Sequence, residues 1–176
     1  DLVFFAVNSS HRHSPLLNYP YFSPQEVGQA VGANPGLFIG VVVDGPFERL
    51  GRKMGAMALL GSLGSQVMAQ ALQAEALKVA ELVSACGAHR IQAVIIADDI
   101  AYTEATFARP QVLRQVLFPH YEPMLERVRA TGAASLFHSC GNLTDVIPDL
   151  IGCGFSGLVA CESGCQDLLK LKQEYA

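Results

Sequence analysis

The feature that most constrains this chain is a repeated alternation between short apolar runs rich in β-branched residues and longer stretches of helical periodicity. Residues 37–43, Leu-Phe-Ile-Gly-Val-Val-Val, form an unbroken apolar run. It is too short for a typical helix and suits a parallel strand buried on both faces. Similar runs occupy residues 2–7, 92–97, 134–137 and 155–160. Between them, Met68, Leu72, Val79, Val83 and Cys86 recur at helical spacing, and Gly87 closes that helix. Tyr121, Met124, Leu125 and Val128 form a second stripe, and Gly132 ends it. Ser23-Pro24-Gln25-Glu26 opens another helix, with Ser23 as cap, Pro24 at the first helical position and Glu26 completing a capping box. Asn142 caps a predicted helix running to about residue 151, and residues 168–175 start a further one. Strand and helix in strict alternation imply a parallel sheet with helices outside it.

The 176 residues fit one domain, and 51% apolar against 16% charged residues is a composition that buries a core. A net charge of −4 without any Lys/Arg cluster argues against a nucleic-acid partner. No apolar run approaches the roughly 20 residues that a membrane-spanning helix needs. Five cysteines at irregular spacing point to reduced thiols used in packing or metal binding, hence to a cytoplasmic setting. The chain opens on Asp1 in a strand-like run and stops within a helical pattern, so a fragment is expected.

Parallel α/β units build either a doubly wound sheet or a closed barrel. Polar residues follow three of the strands: Asp44, then Asp98-Asp99, then His138 and Cys140. In barrels the chemistry sits at these C-terminal strand ends, and a complete barrel takes about 250 residues. The expected fold is therefore a (β/α)8, TIM-barrel-class α/β domain over residues 1–176, incomplete, with four to five parallel strands. An open barrel leaves strand edges unpaired, which invites association into a homo-oligomer. An inactive truncated barrel or subunit is the corresponding non-enzymatic reading.

His138 and Cys140 stand two residues apart at a strand end, so they face the same way and can share one ion. Imidazole nitrogen and thiolate sulfur both suit Zn²⁺, and a catalytic zinc usually takes three protein ligands. Glu162, Cys161, Cys165 and Cys153 are the candidates for the third. Asp98 and Asp99 point oppositely, so one at most faces the site. Asp99 is the candidate proton carrier or substrate anchor, and Asp98 is expected to serve structure. Tyr102 and Glu104 share a loop that can line a pocket, and Asp44 is a further substrate-binding candidate. His11 and His13, with Arg12 between, lie in a polar loop and are expected to be solvated; Cys86 and Cys153 are expected to pack.

Several segments occur in an order that resembles the uroporphyrinogen decarboxylase superfamily. They are residues 38–47 (FIGVVVDGPF), 97–101 (ADDIA), 137–142 (FHSCGN) and 154–158 (GFSGL). Within that superfamily, His138-Ser139-Cys140-Gly141 resembles the methylcobalamin:coenzyme M methyltransferases and, more distantly, cobalamin-independent methionine synthase. The resemblance implies zinc held by His138, Cys140 and a later Cys expected beyond Ala176. Glu162 falls where the methionine synthase pattern carries a Glu. It further implies a methylcorrinoid donor, free or on a corrinoid protein, and a small thiol as acceptor. The alternative within the superfamily is a metal-free tetrapyrrole carboxy-lyase, which uses Arg and Asp groups and an arginine-bearing N-terminal segment that has no match here.

Overall fold

The structure, a computed structural model, describes residues 2–8, 20–159 and 161–175. The predicted loop bearing His11, Arg12 and His13 lies largely outside the described residues, as does Ala160 at the end of the last predicted strand.

Among the described residues five strands, β1 (Leu2–Val7), β2 (Phe38–Asp44), β3 (Ala93–Ala97), β4 (Ala134–His138) and β5 (Gly157–Val159), form one open parallel sheet in the order β1-β2-β3-β4-β5. Sequential order is what a segment of a barrel has; a doubly wound sheet reverses its order partway. No closure of the sheet is seen among the described residues. Among the described residues eight helices accompany the strands: α1 (Pro24–Ala33), α2 (Pro46–Met54), α3 (Ala56–Ser62), α4 (Gln66–Gly87), α5 (Pro110–Val116), α6 (Tyr121–Thr131), α7 (Ile147–Cys153) and α8 (Leu168–Tyr175). None is long and apolar enough to cross a membrane.

The pleat divides each strand between two environments. Val41, Val43, Val94, Ile96 and Phe137 point to one face and are almost wholly buried. There they pack with Leu72, Val79 and Val83 of α4 and Met124, Leu125 and Val128 of α6. The predicted stripes of both helices are therefore the surfaces that cover the sheet. The alternate residues Phe4, Ala6, Val42, Ile95, Ala97 and Val159 line an open cavity on the other face. The expectation of burial on both faces thus holds against the helices, whereas the second face is only partly covered among the described residues.

Local signals act as the sequence suggests at α1. The Ser23 hydroxyl accepts from the Glu26 backbone N at 3.2 Å, and the Glu26 carboxylate accepts from the Ser23 N at 2.7 Å. They act differently after β4. Asn142 accepts from the Thr144 N at 2.9 Å, closing a short turn, and a 3-10 turn at Thr144–Val146 follows before α7 begins. Pro148 lacks an N–H and sits in the first turn of α7, where none is needed. The helix predicted from residue 142 is consequently two elements. Helices α2 and α3 carry no counterpart in the sequence reading.

Candidate metal centre and its cavity

Register sets the site. Asp44, Ala97, His138 and Val159 are cross-strand neighbours in one row at the C-terminal ends of β2 to β5. His138 therefore opens onto the same face as Asp44, and Asp99 follows two residues beyond Ala97. Between His138 and Cys140, Ser139 turns inward and is 1% exposed. Its hydroxyl accepts from the Ile100 N at 3.0 Å and so ties the end of β4 to the loop after β3. Ser139 is buried between its neighbours, so His138 faces the cavity and Cys140 stands exposed beside it, which is the physical content of the His-Ser-Cys spacing.

Gly141 follows with φ +86, and a Cβ there would collide with the Tyr102 backbone. Glycine at this position lets the two loops touch, and the Asn142 N donates to the Tyr102 carbonyl at 2.8 Å. Tyr102 thus contributes its main chain. Its ring stacks on Phe107 with centroids 5.9 Å apart, is 46% exposed, and is not among the residues lining the cavity.

The ligand atoms of Asp99, His138 and Cys140 all lie within 4.8 Å of one another. The Cys140 N donates to Asp99 Oδ1 at 3.0 Å, and the same oxygen stands 3.8 Å from His138 Nε2. Burial, reinforced by the nearby charges of Asp99 and Glu162, pushes the Cys140 thiol up. Without an ion the group is a thiol at neutral pH. Carboxylate oxygen, imidazole nitrogen and thiol sulfur form a donor set that zinc accepts. Bond lengths of about 2.0–2.3 Å put tetrahedral ligand atoms roughly 3.5 Å apart, so a slight inward turn suffices.

Glu162 stands beside this cluster rather than within it. Its Oε2 accepts from the Gly141 N at 3.3 Å and from the Cys165 thiol at 3.2 Å. Asp99, expected as a proton carrier, occupies the place next to His138 and Cys140 instead. Cys86 is fully buried and Cys153 half-buried, and burial pushes each thiol up to about 11.

Asp98 is wholly buried, and its role is structural. Its carboxylate accepts from the Phe47 N at 3.3 Å, the Glu48 N at 2.6 Å and the Tyr121 hydroxyl at 2.8 Å. It caps the N-terminus of α2, an element earlier in the chain, and not the turn that follows it. Gly45 makes this possible, because a Cβ there would strike the Asp98 carboxylate.

The cavity before the cluster measures about 610 Å³. Besides Asp99, His138 and the apolar strand residues, its wall includes Tyr21, Asp44, Glu48 and Arg52. Arg52 Nε donates to Glu48 Oε1 at 2.7 Å and Arg52 Nη1 to the Tyr21 hydroxyl at 3.1 Å, while Nη2 lies 3.3 Å from Asp44 Oδ1. Of these four residues the sequence reading singled out Asp44 alone. The missed signal was Glu48 and Arg52 four residues apart, directly after Asp44-Gly45-Pro46, which marks one face of a helix leaving a strand end.

No protein-family model and no curated protein matches the chain. Among solved structures, a methyltransferase from Methanosarcina mazei is similar in fold, with a TM-score of 0.64 and 19% sequence identity over 77% of this chain. The chain spans only about two-fifths of that protein's length, the match covering 40% of it. At this identity the likeness establishes a shared α/β fold with a methyltransferase.

Proposed function

We propose that this chain supplies the metal-binding face of a zinc-dependent, corrinoid-linked methyltransferase of the uroporphyrinogen decarboxylase superfamily. In this reading the enzyme activates a thiol acceptor. The observation that carries the proposal is the convergence of Asp99, His138 and Cys140 from two adjacent strand ends to within 4.8 Å of one another, with Asp99 and His138 on the cavity wall. His138 and Cys140 hold the ion, and Asp99 acts as the third ligand. Glu162 steadies the loop through its bond with the Gly141 N. Bound zinc lowers the pKa of a coordinated thiol so that it is a thiolate at neutral pH. Val42 and Ile95 give the cavity an apolar wall beside the cluster.

The fold shared with a methyltransferase adds support. The carboxy-lyase alternative gains less. Among the described cavity residues the one guanidinium, Arg52, is already engaged by two carboxylates, a poor match to a polycarboxylate substrate.

Metal analysis is the test. The purified protein is expected to take up one zinc per chain, with uptake lost in His138→Ala and in Cys140→Ala. Failure of the unmodified protein to bind zinc on titration refutes the reading.

A further inference from the structure

The cavity before the metal cluster is apolar along Phe4, Ala6, Phe22, Val42 and Ile95 and polar at one end. That polar end is a built assembly. Arg52 is engaged by Glu48, Asp44 and Tyr21, and the Tyr21 hydroxyl donates onward to Asp44 Oδ2 at 3.2 Å. A guanidinium carries five N–H groups, and among the described residues these contacts occupy three of them. Among the described residues, two carboxylates against one guanidinium give this end a negative balance of charge. Asp99 adds a third carboxylate to the described lining. Such a wall offers donors and acceptors side by side and repels an acidic group.

Dimensions point the same way. Asp44 and His138 share a row with Ala97 between them. At about 4.8 Å per strand, the Asp44 backbone stands about 10 Å from that of His138. A thiol of only a few heavy atoms leaves most of about 610 Å³ empty. The volume falls in the range of roughly 300–1,000 Å³ typical of small-molecule sites.

The geometry points to an acceptor with an apolar, ring-sized body and a polar head that donates hydrogen bonds and carries no negative charge. The head seats on Glu48, Asp44 and Arg52, and the reactive end reaches the His138–Cys140 cluster. This inference rests on the methyl-transfer reading for what happens at the cluster, but its recognition element is independent of the metal.

The test uses the metal-free protein and three matched probes, 2-phenylethylamine, 2-phenylethanol and phenylacetate, titrated by calorimetry. The amine and the alcohol are expected to bind at least about tenfold more tightly than the acid. Glu48→Gln and Asp44→Asn are each expected to shrink that gap, with circular dichroism confirming the fold. Phenylacetate binding as tightly as the others, no binding by any probe, or a ranking unmoved by both variants overturns the proposal. The ranking on the unmodified protein decides the matter even if a variant fails to fold. A protein that takes up zinc without this ranking loses the present inference alone. One that shows the ranking but takes up no zinc loses the methyl-transfer reading alone.

Discussion

Asp98 and Asp99 are neighbours in sequence and opposites in environment. Asp99 is about half-exposed and stands with His138 and Cys140, whereas Asp98 is sealed under α2. Burial pushes the Asp98 carboxyl up to about 7, outweighing the bonds from the Glu48 N, the Tyr121 hydroxyl and the Phe47 N that favour its charge. The folded state thus holds this proton where the unfolded chain, with a carboxyl near 3.9, has released it. Its contribution to stability is fully present below about pH 4 and is lost as pH rises toward 7. Asp98→Asn is expected to flatten that decline, by about 2 kcal/mol between pH 5 and 8 in urea unfolding compared with the parent protein. At the metal cluster the sign is set by competition. Because burial and the charges of Asp99 and Glu162 raise the Cys140 thiol, zinc must displace its proton. Zinc affinity is expected to climb about tenfold per pH unit between pH 7 and 8, measured against a chromophoric chelator, and Cys140→Ser should leave little measurable uptake at either pH.

Among the elements, α2 does most to shape the site, since it carries Glu48 and Arg52 on one side and Arg49 and Lys53 on the other. Glu75 of α4 receives Arg49 Nε at 2.8 Å, Lys53 Nζ at 2.6 Å and Lys78 Nζ at 2.8 Å. Burial opposes the Glu75 charge, but the hydrogen bonds from Lys53, Lys78 and Arg49 prevail and hold its carboxyl down at about 2. A depressed carboxyl stabilises the fold above its unfolded pKa, near 4.3, and that stability drains away as pH falls toward 2. Glu75→Ala leaves Arg49 buried without its partner and is expected to cost about 3 kcal/mol in urea unfolding at pH 7. Helix α2 was not legible beforehand, because Gly45, Gly51, Gly55, Gly61 and Gly64 punctuate the segment and glycine is a poor helix former. What makes it a helix is its capping by Asp98, 50 residues from Glu48, and the Glu75 clip. By contrast α1, α4 and α6 announced themselves, since a capping box and apolar stripes are local signals.

At the scale of the molecule, the sheet separates a helix-covered face from a face that lines the cavity, and stability resides on the first. Phe137 is fully buried among Tyr121 and Phe155, with ring centroids 5.8 and 5.1 Å away. Phe137→Ala is expected to cost about 4 kcal/mol in urea unfolding, while zinc binding in the folded fraction persists because Phe137 points away from the cluster. The sequence alone determined the parallel α/β class, the strand positions to within a residue or two, the buried stripes of α4 and α6, and the pairing of His138 with Cys140. The strands follow from short unbroken apolar runs, the stripes from the 3.6-residue helical period and the His138–Cys140 pair from the two-residue alternation of a strand, all signals that operate within one element. Tertiary structure alone decided that Asp99 rather than Glu162 stands with those two residues, that Asp98 caps α2, and that Arg52 and Tyr21 meet Asp44 at the cavity's end. Those outcomes depend on the register Ala97↔His138 and Asp44↔Ala97. Register is set by packing between segments far apart in the chain, and no local pattern records it.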